Sequence, residues 1–184
     1  MRLNAKSVGC LLIGESMRMR ALGEKLAARG VDPVCISHGA DLLLSAQEGL
    51  RAARRSGEAC IAAEGELWAA ALSLAAQLCV DRIVLIAPTD FMHSPKSELE
   101  KQIERLKGFA RRNLFFCVSD VLVLEEGLDA RSDRRIDLLC RRMSNSRVHR
   151  LSMGDQRWTN CEHSPIEAAA RFLCEGDFVF SLAK

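Results

Sequence analysis

The chain has 184 residues, 48% of them hydrophobic and 27% charged, with a net charge of +2. That is enough chain for one domain with a core of its own, 1–184, and the balance of charge speaks against nucleic acid or an acidic membrane surface as partner. The eight cysteines include no Cys-x-x-Cys pair, which excludes a zinc knuckle and a thioredoxin-type motif.

Val8–Ile13 is a continuous apolar run that stops at Gly14, the pattern of a buried parallel strand. Too short for a signal h-region or a membrane span, it leaves a cytoplasmic setting as the expectation, with the cysteines as small core residues. Glu15–Arg29 reads as a helix stopped by Gly30, and Pro33–Ser37 as a second strand. A loop containing His38 leads to a helix over Leu42–Arg55, broken at Ser56-Gly57. Ala59–Ala63 is the third strand, and Glu66–Leu78, rich in alanine and leucine, a helix buried flat on the sheet.

Arg82–Ala87 is the fourth strand, ended by Pro88, and Ser97–Ala110 an amphipathic helix. Asn113–Val118 is expected to be the fifth strand, Ser132–Met143 a helix and Arg147–Ser152 the sixth strand. Pro165–Leu173 closes the chain as a helix with proline in its first turn. The basic clusters Arg51/Arg54/Arg55, Arg111/Arg112 and Arg134/Arg135/Arg141/Arg142 read as solvated helix faces. Strand and helix alternate throughout, which implies one doubly wound α/β domain of about six mostly parallel strands covered on both faces.

The stretch Cys60–Ala76 organises the rest. A strand, a tight turn at Glu64-Gly65-Glu66 and a helix follow one another with no linker, the layout of a nucleophile elbow. The segments LLIGES, RIVLIAP, LFFCVSD and CEHSPIEAAARFL fall around it in an order and spacing that resemble the α/β-hydrolase family over most of the chain. The resemblance implies an oxyanion-hole loop at Gly14-Glu15-Ser16, a triad acid at Asp120 and a triad base at His163. The nucleophile position falls on Gly65, which has no side chain to attack a substrate. Leu67 takes the usual small position, so the turn or the helix must shift. The chain also begins almost at the family's third strand, and Glu15 is an anion where an oxyanion would bind.

Each candidate has a plainer reading. Glu64 and Glu66 flank a helix N-terminus, where the dipole favours carboxylates anyway. Asp120 fits an ordinary turn at a strand end, His163 a loop or cap residue, and His38 a loop. Ser16 as a displaced nucleophile has nothing local to activate it. No ligand spacing supports a metal, and neither a G-x-G-x-x-G nor a P-loop is present, so no cofactor is expected.

Three functional expectations follow. The first is a pseudoenzyme, a non-catalytic hydrolase-like protein binding a small ligand or partner at Gly14, Glu15, Ser16, Glu64 and Glu66. The second is a serine-independent ester or peptide hydrolase using His163 and Asp120 on water. The third is a homo-oligomer paired through an exposed sheet edge.

Overall fold

The computed structural model of the chain describes residues 7–37, 41–55, 57–89, 95–126, 130–152 and 164–176. The apolar runs become β1 (Val8–Ile13), β2 (Val34–Ile36), β3 (Glu58–Glu64), β4 (Arg82–Ile86), β5 (Asp120–Glu125) and β6 (Arg147–Ser152). They form one all-parallel sheet in the order β2-β1-β3-β4-β5-β6. The helices are α1 (Met17–Ala27), α2 (Leu42–Arg54), α3 (Trp68–Ala75), α4 (Glu98–Asn113), α5 (Ala130–Arg142) and α6 (Pro165–Glu175).

Strand side chains alternate between two cores. Leu11, Ile13, Ile61, Ala63, Ile83, Leu85, Val121 and Val123 face α2, α3, α4 and α5. Cys10, Leu12, Cys60, Ala62, Val84, Ile86, Leu122 and Leu124 face α1 and α6. Residues with short polar side chains start α1, α2, α4 and α6. Ser16, Asp41 and Ser164 each accept the backbone N–H three residues on, and Ser97 with Glu100 forms a full capping box. Every residue of α3 is buried, as its near-uniform apolarity implies, and its Trp68 Nε1 donates to the Thr89 carbonyl at 2.8 Å. Gly9 lets α2 touch β1: a Cβ there would stand 1.7 Å from the Ala53 carbonyl oxygen. Among the described residues no helix is long and apolar enough to cross a membrane.

One strand lies elsewhere than the sequence suggested. Residues 113–118 are not a strand: α4 runs to Asn113, and Leu114–Phe116 form a 3-10 turn. The strand is Asp120–Glu125. Both segments are short apolar runs, and their burial separates them. In the first, only Leu114 and Cys117, three residues apart, reach the core, which is helical spacing. In the second, Val121, Leu122, Val123 and Leu124 are all fully buried, as a strand covered on both faces requires.

The chain leaves β1 for β2 on one side and returns to β3 on the other. The crevice between the carboxyl ends of β1 and β3 is therefore the topological switch point. Gly14 and Glu64-Gly65 stand at its lip.

Candidate functional site

β3 ends at Glu64 in an extended conformation (φ −116°, ψ 149°), and Gly65 then turns left-handed at φ +58°. Any residue with a Cβ is strained there, by about 1–3 kcal/mol, and glycine is not. Space is not the constraint, since a Cβ on Gly65 would meet only the Thr89 hydroxyl, at 3.7 Å. The turn is thus shaped to raise one residue above the sheet edge, and that residue carries nothing. Leu67 is buried at the end of a 3-10 turn, Gly65–Leu67, which delays the start of α3 to Trp68. This is where the change of turn expected from Leu67 is taken up.

The carboxylates on either side of Gly65 are held by cations. Arg18, in the first turn of α1, reaches Glu64 at 3.5 Å and grips Glu126 with both terminal nitrogens, at 3.1 and 2.5 Å. Glu126 is the first residue after β5, so one guanidinium ties together the carboxyl ends of β3 and β5. On the other side, Glu66 is ion-paired with Lys107 of α4, which also contacts Glu104 at 2.6 Å. Lys107 is fully buried. A buried ammonium needs such partners, because its desolvation would otherwise cost several kcal/mol.

The loop after β1 is occupied as well. The Gly14 N–H donates to the Ile36 carbonyl at 3.2 Å, extending the β1–β2 pairing, so it is not aimed at a substrate oxygen. Ser16 Oγ accepts the Met19 N–H at 3.2 Å as the cap of α1. Glu15 is exposed and, with Gly14, Leu12, Met19, Ile36 and Ser37, lines a groove of about 430 Å³ along the first turns of α1. Gly14, Glu15, Ser16, Glu64 and Glu66 are therefore brought to one edge of the sheet, around Gly65. Among the described residues no group of His, Cys, Asp and Glu is arranged to hold a metal.

Asp120 is not brought there. With the strand at 120–125, it opens β5 instead of following it, and sits at the amino end of the sheet, opposite Gly65. Its carboxylate is bound by Arg147, Nε to Oδ1 at 3.0 Å and Nη2 to Oδ2 at 2.6 Å. The position expected of an acid, just beyond the strand, holds Glu126. His163, His38 and the loop Asp155–Ser164 apart from its last residue lie outside the described residues.

Sequence reasoning missed Arg18, Lys107 and Glu126. Lys107 left a trace: Ile103, Leu106 and Ala110 form the buried stripe of α4, and Lys107 falls within it, a cation at a core position. Glu126 closes the run VLVLEE, which alternative placement of the fifth strand concealed.

The fold has solved counterparts. One is among the metagenome-derived lipolytic enzymes LipS and LipT, at 14% identity over 91% of this chain and 95% of that one, with a TM-score of 0.70. The chain has the α/β-hydrolase fold. An esterase domain from Rhodothermus marinus superposes at TM-score 0.64, with 11% identity over 93% of this chain and 85% of that one. A monoacylglycerol lipase from Paleococcus ferrophilus does so at 0.62, with 11% identity over 91% and 94%. No protein-family model and no curated protein matches the sequence. Gly65 stands at the turn that leads from β3 to α3, and Glu126 directly after β5.

Proposed function

We propose that this protein is a non-catalytic member of the α/β-hydrolase fold that binds a small ligand or partner at the old cleft. The observation that carries the reading is Gly65 at the apex of a left-handed elbow, with room for a side chain and none present. Covalent catalysis from that position is closed. The neighbouring groups support the same reading: Glu64 and Glu66 are held in ion pairs, and the Gly14 amide is spent within the sheet. The groove between β2 and α1, which adjoins that cleft at Gly14 and Glu15, is the cavity we assign to the ligand.

A second reading has one observation in its favour. Glu126 follows β5, where an acid would orient a histidine. A hydrolase in which His163 activates water, backed by Glu126 in place of Asp120, is the alternative. Hydrolysis of a panel of short-chain acyl esters by the purified protein separates the two. The proposal expects no turnover. Turnover that vanishes in His163→Ala overturns it and establishes the second reading. Activity appearing only in Gly65→Ser supports it, as an intact site lacking its nucleophile.

A further inference from the structure

At the end of the sheet away from the elbow, the 3-10 turn after α4 pushes apolar side chains into water. Phe115, Phe116 and Val118 are 60%, 62% and 72% exposed. The two rings stack edge to face on each other, 5.9 Å apart, and not on the core. Leu114 and Cys117, both buried, anchor the turn, so the exposed side chains project from a fixed base. The turn before β6 is fastened to the same base: Asn145 Nδ2 donates to the Phe115 carbonyl at 2.7 Å and Ser146 Oγ to the Cys117 carbonyl at 2.8 Å. This brings the last turn of α5, with Arg141 and Arg142, beside the last turn of α4, with Arg111 and Arg112. Arg111, Arg135 and Arg142 line one small hollow together with Leu138, which is itself 51% exposed.

The charge here is one-sided. Residues 111–119 and 138–147, which make up the tip, contain five arginines and no carboxylate. One of the five is engaged with a carboxylate at the margin, Arg147 with Asp120. Arg112, Arg141 and Arg142 are exposed around the aromatic tip. The overall charge conceals this patch, and helix-by-helix reading dissolves it into solvated faces.

We propose that this tip docks on an anionic phospholipid surface, with Phe115, Phe116 and Val118 entering the interface and Arg112, Arg141 and Arg142 meeting the headgroups. Projecting side chains on a rigid base suit a deformable apolar layer, and the arginines supply the complementary charge. A second copy of this chain fits poorly, because the arginine rims would face each other. The elbow and its groove, at the other end of the strands, would then point away from the membrane.

The test is sedimentation of the full chain with phosphatidylcholine vesicles, with and without 30% phosphatidylserine, at low and physiological salt. Binding to the serine-containing vesicles alone, weakened by salt, is the expected result. Neutralising two arginines in R112Q/R142Q should weaken it about 25-fold, roughly five-fold each. F115S/F116S should abolish sedimentation, whereas Met17→Ser, which removes the exposed methionine at the start of α1, should not change it. Circular dichroism confirms that each variant folds. Absence of binding, equal binding to both vesicles, or binding unchanged in both patch variants overturns the proposal. A concentration-dependent dimer lost in F115S/F116S, with no vesicle binding, also overturns it and assigns the patch to a second copy.

Discussion

Replacing Gly65 measures the elbow itself. Its φ of +58° lies in the left-handed region, and a new Cβ would touch only the Thr89 hydroxyl at an ordinary 3.7 Å. The cost of Gly65→Ala or Gly65→Ser is therefore conformational and not steric, about 1–2 kcal/mol. Asparagine adopts this region more readily, so Gly65→Asn should cost less than either. For a domain of this size each kcal/mol lowers Tm by roughly 2–4 °C, so Ala and Ser should lose about 2–8 °C and Asn the least. Gly9→Ala is the steric contrast: its Cβ would overlap the Ala53 carbonyl at 1.7 Å, and it should unfold the protein or cost well over 3 kcal/mol. Urea titrations of the five proteins give the comparison. An alanine or serine variant as stable as the parent, or Asn costing more than Ala, would refute the left-handed turn as the reason glycine sits there.

Three further outcomes follow from the structure. Lys107→Met removes a buried ammonium and leaves Glu66 and Glu104 facing each other, so it should destabilise by about 2–4 kcal/mol in denaturant unfolding; an unchanged midpoint would mean the pairs contribute nothing. Asp120→Asn should change the unfolding free energy by less than about 1 kcal/mol in a urea titration, because the Arg147 pair is exposed; a larger loss would contradict that reading. Burial pushes the Cys60 thiol up to about 11, so that its contribution to stability is whole below pH 9 and is lost as pH climbs through 11. Unfolding free energy should fall over that interval by at most about 3 kcal/mol from this group, and the slope should flatten in Cys60→Ala.

Most of the architecture could be read from residue order. Six apolar runs alternating with helices dictate a parallel sheet, because a strand buried on both faces has to be apolar at every position, and Val8–Ile13 and Arg82–Ile86 are nearly so. The tight turn at Glu64-Gly65-Glu66 was legible too, but the left-handed φ of Gly65 came only with the structure. What the sequence could not decide was which of two neighbouring apolar runs, LFFCV or VLVL, enters the sheet. Local pattern fits both, and only competition for the one place beside β4 chooses between them. That choice places Asp120 at the amino end of the strand and Glu126 just beyond its carboxyl end.

The charged surroundings of Gly65 are tertiary for the same reason. Arg18, Glu64 and Glu126 come from three elements, separated by up to 108 residues, and Lys107 meets Glu66 from a fourth. The exposed tip at Phe115 is equally invisible in the chain, where it reads as a core strand. Periodicity tells a residue which neighbours share its face. Only the packed sheet determines whether that face meets the core, the cleft or water.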